Sequence, residues 1–161
     1  MAEKNLAYFM RDLTKEREVI EIPGVESIKD EKGKVVPFRV RLLSNKEVMD
    51  IYDKYKTKKI AYDKKGQPIV HNGQVVFIVE NDTNRALRRI IVEALEYPDL
   101  KNKELMDYYK CPSFDDMPYM VFPNPKEYLA VQQRIMVALG ISEPEGEDED
   151  KRIDEVEEAK N

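Results

Sequence analysis

Apolar residues recur at helical spacing within residues 81–100, NDTNRALRRIIVEALEYPDL. The apolar side chains that share one helical face are Leu87, Ile90, Ile91, Ala94 and Leu95. Asp82 or Thr83 can cap the first turn. Pro98 is expected to stop the helix, because the residue before a proline disfavours helical geometry. The pattern predicts a central helix over 83–96 that buries this face.

Other stretches carry the capping residues of helices. Ser44 and Glu47 form a capping box before a predicted helix over 45–56. Asn124 and Pro125 occupy the first positions of a predicted helix over 125–139, which Gly140 is expected to end. A short helix should follow Asn102 and run to about residue 109. An amphipathic helix over 5–16 must dock its apolar face on the body or on a partner.

Strand patterns lie in two regions. Residues 18–22 precede a turn at 30–34, and apolar residues alternate with arginines from Val36 to Leu42, which predicts a hairpin with one buried face. Pro37 lacks an amide donor, which assigns that end of the strand to a sheet edge. Asn72-Gly73 favours a tight turn, so residues 58–79 are predicted to form a projecting hairpin.

These patterns together predict the α+β class in a single domain of residues 1–141. A small, mostly antiparallel sheet from residues 18–43 and 58–79 should be covered by three to five helices. Residues 142–161 contain ten acidic and three basic residues. A segment of that composition is too polar to form a core and is predicted to be a flexible tail.

The net charge argues against nucleic acid as a partner. The chain has a formal net charge of −5, and the −7 of residues 142–161 leaves only +2 on the body. A nucleic-acid-binding domain normally carries a strong basic excess, so no nucleic acid is expected as a partner. No apolar run is long enough to span a membrane, and the N-terminus lacks the apolar core of a signal peptide. With the single Cys111, these features predict a cytoplasmic protein.

Candidate chemistry is sparse. His71 is the single histidine and adjoins a predicted turn, Cys111 has no neighbouring metal-ligand pattern, and Asp115-Asp116 are expected to be solvated acids in a loop. The glycines are scattered and form no phosphate-binding loop. We therefore expect no enzyme activity, no cofactor and no metal.

A protein-binding surface is the stronger prediction. Residues 111–122 contain two prolines and an apolar cluster without a clear period: Met117, Tyr119, Met120 and Phe122. Methionine and aromatic side chains can adapt to varied partners, so these four residues are predicted to bind a partner or mediate self-association. The alternative is that the loop folds down and fills a gap in the core.

Three strings resemble the phage tail assembly chaperones of the XkdN-like type, found in tailed phages and prophages of Gram-positive bacteria. They are KDEKGKVVPFRVRLLSNKE, ALEYPDLKNKELMDYY and PKEYLAVQQRIMVALGI, and the similarity covers most of residues 6–141. Residues 58–79 and 111–122 depart from the family pattern.

The resemblance implies a non-enzymatic protein made in the infected or lysogenic host cell. Such a protein would bind the tape measure protein, help recruit tail tube subunits, and be absent from the mature virion. The alternative is a structural adaptor or minor component held permanently in a tail or capsid. The family commonly makes a longer product by ribosomal frameshifting, and Ala159-Lys160-Asn161 can be encoded by a slippery heptamer, so slippage there is a further expectation.

Overall fold

The computed structural model describes residues 4–12 and 17–144. The strands are β1 (Val19–Ile22), β2 (Phe38–Arg41), β3 (Lys56–Ile60), β4 (Val70–His71), β5 (Gln74–Val75), β6 (Phe77–Asn81) and β7 (Leu95–Tyr97). The α-helices are α1 (Asn45–Lys54), α2 (Thr83–Ala94), α3 (Lys103–Tyr108), α4 (Met117–Val121) and α5 (Pro125–Ala138). Short 3₁₀ helices cover Leu6–Phe9 and Phe114–Asp116. The predicted α+β class is confirmed.

The central helix α2 buries the expected face. Asp82 is its cap and accepts a hydrogen bond from the Arg85 amide at 3.2 Å. The helix ends at Ala94, earlier than predicted, because Leu95 is already extended and pairs with Val40 of β2. The residues that α2 buries are Ala86, Ile90, Ile91, Val92 and Ala94.

A three-stranded antiparallel sheet in the order β1-β2-β7 lies against this helix. Phe38 and Val40 are buried while Arg39 and Arg41 are exposed, as the period-two pattern predicts. The prediction that Pro37 marks a sheet edge is wrong, because β2 is the central strand and Pro37 lies just before it. The proline therefore removes no hydrogen bond from the ladder.

The predicted helix caps are confirmed. Ser44 and Glu47 form both hydrogen bonds of the capping box. The Asn102 side chain accepts from the Leu105 amide, and that of Asn124 accepts from the next two free amides of α5. Gly140 has a φ of 75°, the left-handed conformation that ends α5.

The second β region does not join the first sheet. Strands β3 and β6 form a separate two-stranded ribbon, and β4 and β5 form a small hairpin between them. The predicted projecting hairpin and its turn are confirmed, since Asn72 and Gly73 both have positive φ values, 49° and 76°. The prediction that helices cover this region is wrong, because every residue of both ribbon strands is exposed.

The main core lies between the sheet, α2 and α5. Phe38 and Phe122 pack with ring centroids 5.7 Å apart, and Val131 and Ile135 of α5 are fully buried beside them. A second, smaller cluster joins α1, α2 and α5 through Val48, Ile90 and Met136. Within the described ranges, no helix is long and apolar enough to cross a membrane.

The two ends of the chain differ from their predicted structure or fall outside the description. Leu6–Phe9 form a 3₁₀ helix, and Met10 is already extended, so residues 6–12 do not continue the predicted helix over 5–16. The large apolar side chains in residues 6–10 are more than two-thirds exposed: Leu6, Tyr8, Phe9 and Met10. Most of the predicted tail, residues 145–161, lies outside the described residues, as does the Ala159–Asn161 site.

Candidate functional site

The structure divides the four predicted partner-binding residues into two pairs. Met117 and Phe122 are 0% and 2% exposed and belong to the main core. Tyr119 and Met120 are 47% and 42% exposed. Met117 and Phe122 are therefore corrected to core residues in the monomer, and we call Tyr119 and Met120 the Tyr119 surface.

Helix geometry explains this division. Met117 and Val121 lie one turn apart on α4, with Pro118 and Phe122 beside them, so these four residues face the core. Pro118 is tolerated because it lies in the first turn, where no intrahelical bond to its nitrogen is needed. The helix has only five residues, so its period could not be recognised from the sequence.

Two side chains, Arg88 and Tyr128, contact the exposed Tyr119 ring. The Arg88 guanidinium lies over the Tyr119 ring, 4.6 Å from its centroid, and donates a hydrogen bond to the Tyr119 hydroxyl. The rings of Tyr119 and Tyr128 are 5.5 Å apart. Arg88 also lies 3.8 Å from an Asp116 carboxylate oxygen. Tyr119 is therefore ordered before any partner arrives, which lowers the entropy lost on binding.

Tyr128, which packs beside Tyr119, is partly buried. Burial raises the pKa of the Tyr128 hydroxyl above its ordinary value, and the nearby Tyr119 raises it further. A phenol with a raised pKa stays neutral throughout the physiological pH range. Tyr128 thus presents a neutral ring beside Tyr119.

A polar cluster positions α4 on α2. Arg89 Nη1 is 3.0 Å from Asp115, and Arg89 Nη2 is 2.8 Å from Glu93. The Tyr55 hydroxyl donates to Asp115 at 2.9 Å, and Lys101 lies 2.6 Å from Glu93. The prediction that Asp115 is a solvated loop acid is wrong, because its side chain is only 13% exposed and pairs with α2.

Hydrogen bonding sets the charge state of this cluster. Burial alone would raise the pKa of the Asp115 carboxyl, but hydrogen bonds from Arg89 and Tyr55 lower it below its ordinary value. Burial also raises the pKa of the Tyr55 hydroxyl, with a further contribution from Asp115. Asp115 therefore remains ionised at neutral pH and anchors the chain just before α4.

The residues considered for chemistry have structural positions. His71 is exposed in the β4–β5 hairpin beside the Asn72-Gly73 turn. Cys111 is buried, and its thiol donates to the Ser113 carbonyl at 3.1 Å. Among the described residues, no three His, Cys, Asp or Glu side chains are grouped to hold a metal ion.

The ribbon of β3 and β6 is an apolar surface that sequence reasoning missed. Phe77, Ile78 and Val79 are 57%, 53% and 52% exposed, and Ile60 is exposed beside them. The sequence of β3 could have indicated this exposure. Lys56–Ile60 has the sequence KTKKI, which lacks the alternating apolar residues of a strand with one buried face. Within residues 4–12 and 17–144, no other layer buries the strands of this ribbon.

Comparison with known proteins shows the family of the chain. The family model for the phage XkdN-like tail assembly chaperone protein matches residues 6–160. The chain belongs to this family. The match extends over both segments that depart from the pattern quoted above, so the ribbon and the Tyr119 surface lie within the family region.

Two relatives of this tail assembly chaperone come from Bacillus subtilis strain 168. The protein XkdN of the phage-like element PBSX is 31% identical over 115 residues, which cover 68% of this chain and 70% of XkdN. The uncharacterized protein YqbN is 33% identical over 106 residues, covering 66% of this chain and 64% of YqbN.

The crystal structure of the protein YqbN has the same fold. It superposes with a TM-score of 0.65 at 23% identity and covers 88% of this chain and 100% of the YqbN chain. At that identity the likeness supports the fold of this tail assembly chaperone and nothing finer. The family assignment rests on the family match and the XkdN relative.

Proposed function

We propose that this chaperone binds the tape measure protein of its phage in the host cytoplasm and helps recruit tail tube subunits. It would then leave the assembly and be absent from the mature virion. The observation that carries the proposal is the family match over residues 6–160. The exposed apolar side chains would provide the binding surface of such a chaperone, because they can cover apolar segments of another protein.

The distribution of these side chains suits transient binding. Among the described residues they form several separate groups, including the N-terminal 3₁₀ helix, the ribbon and the Tyr119 surface, and others such as Met49 and Leu129 lie apart from these. Small surfaces bind weakly on their own, whereas many copies along a long chain can bind tightly together through avidity. A chaperone that must be displaced during tube growth benefits from this arrangement.

We propose that the Tyr119 surface contacts the tape measure protein. Tyrosine, methionine and arginine are enriched at the centres of protein interfaces. Tyr119 offers an ordered ring stacked on Arg88, and Met120 offers an adaptable side chain next to it. An apolar segment of the tape measure protein would cover both, while the half-exposed Asp116 stays at the hydrated rim and Arg88, only 15% exposed, holds the Tyr119 ring.

Co-expression with the tape measure protein tests this surface. Tyr119→Ser with Met120→Ser should reduce the amount of chaperone that co-purifies, because both changes remove exposed apolar area. Met49→Ser with Tyr108→Ser is a matched control, since it removes the same residue types from exposed positions on α1 and α3. Equal co-purification of both double variants would contradict the proposal, and unfolding of the first would assign Tyr119 and Met120 to the core instead.

We also propose that a minority of molecules carry a C-terminal extension made by slippage at Ala159–Asn161. The segment from Ser142 to Glu158 would serve as the charged tether, since like charges extend a chain. The coding DNA tests this directly. A codon for Lys160 other than AAA, or the lack of an overlapping downstream frame, would refute it.

A further inference from the structure

The two outer edges of the ribbon differ in composition. The β3 edge carries Lys56, Lys58 and Lys59, whereas Phe77, Ile78 and Val79 along β6 are all uncharged. Lysine on an edge strand opposes pairing with another strand. The β3 edge is therefore protected against association and the β6 edge is not.

The hydrogen-bond pattern shows which backbone groups of β6 are open. The Asp82 amide donates to the Tyr55 carbonyl at 3.0 Å, and the Ala61 amide donates to the Val76 carbonyl at 2.9 Å. Hydrogen-bonded and non-hydrogen-bonded pairs alternate between these ends of the antiparallel ladder. Phe77 and Val79 then direct their N–H and C=O groups away from β3. Among the described strands, none pairs with that side of β6.

We propose that β6 pairs antiparallel with β6 of a second copy of this chain. A register centred on Ile78 places Ile78 opposite itself and Phe77 opposite Val79 of the second copy. Phe77 and Val79 have outward-directed backbone groups, so these pairs exchange hydrogen bonds. The result is a four-stranded sheet in the order β3-β6-β6-β3, with apolar pairs at its centre.

The charge pattern favours a second copy over open-ended growth. In this register Glu80 faces Val76 of the second copy, so no like charges meet across the two-fold axis. Pairing through β3 would instead bring lysines close to lysines. Both outer edges of the four-stranded sheet carry those lysines, so assembly stops at a closed dimer.

The size of the contact predicts its strength. A two-stranded ribbon is marginally stable alone, and a third and fourth strand would cover side chains that are now half exposed. Three half-exposed side chains and one ladder bury less than the roughly 1,000 Å² of a stable interface. The dimer should therefore be reversible and depend on concentration. This inference is independent of tape measure binding.

Sedimentation velocity of the full chain over about 1 µM to 1 mM tests the dimer. The wild-type chain should shift from monomer to dimer as concentration rises. Ile78→Lys and Ile78→Glu should each remain monomeric, because each places like charges opposite one another. An equimolar mixture of the two should dimerise, because opposite charges then meet at the axis.

Thr57→Lys is the matched control, since it adds the same exposed charge to β3 and should dimerise like wild type. Circular dichroism checks that each variant is folded. A wild-type chain that stays monomeric throughout would overturn the proposal, including the case in which β6 captures only the tape measure protein. Folded Ile78 variants that dimerise alone, or a mixture that stays monomeric, would overturn the register centred on Ile78.

Discussion

Replacing Asp115 with Asn should destabilise the fold, because Asp115 links the segment before α4 to α2. Its carboxylate accepts from Arg89 at 3.0 Å and from Tyr55 at 2.9 Å, and its side chain is only 13% exposed. Loss of a hydrogen-bonded charge at such a site costs about 2 kcal/mol. Arg89 keeps Glu93 at 2.8 Å, so the larger penalty of an unpaired buried charge does not apply.

Thermal unfolding at pH 7 measures this effect. At roughly 2–4 °C per kcal/mol for a chain of this size, Asp115→Asn should lower Tm by about 4–8 °C. Asp116→Asn is the matched control, because Asp116 is half exposed and its 3.8 Å separation from Arg88 is too long for a hydrogen bond. It should lower the free energy of unfolding by less than about 0.5 kcal/mol.

The pH dependence separates charge from packing. Hydrogen bonds lower the folded-state pKa of Asp115, so its contribution is complete above the ordinary carboxyl pKa of about 4 and disappears as pH falls through the lowered value. The difference in urea unfolding between wild type and Asp115→Asn should therefore stay constant from pH 7 to about 4 and shrink as pH falls further. Equal stability at pH 7, or a gap unchanged at low pH, would refute the role of the ionised carboxylate.

Three further substitutions test the core and the helix start. Met117→Ala should cost about 2–5 kcal/mol and Met120→Ala below about 1 kcal/mol, measured by urea unfolding, because Met117 is fully buried and Met120 is not. Equal costs would contradict the assignment of Met117 to the core. Ser44→Ala should cost about 1 kcal/mol by the same measurement, since it removes the side-chain acceptor of the capping box, and an unchanged midpoint would show that the box contributes little.

Local signals predicted much of the fold. The caps at Ser44, Asn102 and Asn124 form the expected hydrogen bonds, because each depends only on residues two or three positions away. The Asn72-Gly73 turn forms for the same reason, since its positive φ values are a local requirement. The family resemblance is also confirmed, since it rests on strings that lie within single elements and their connections.

Long-range contacts decided what the sequence did not show. Leu95 suits the buried face of a helix and of a strand equally, and pairing with Val40 selects the strand. Asp115 reads as a loop acid until the fold brings Arg89 and Tyr55 to it. Phe77 and Val79 read as buried strand residues, yet the layer that would cover them is absent from the described chain. Such exposure is a property of the tertiary structure.

Quantitative mass spectrometry of infected-cell lysate and purified virions tests the central claim most directly. An assembly chaperone should co-purify with the tape measure protein from lysate taken before tails are complete, and should be missing from purified virions. A permanent structural adaptor would instead appear in virions in a fixed ratio to the tail tube protein. Finding this chain in purified virions at such a ratio would contradict the proposed function.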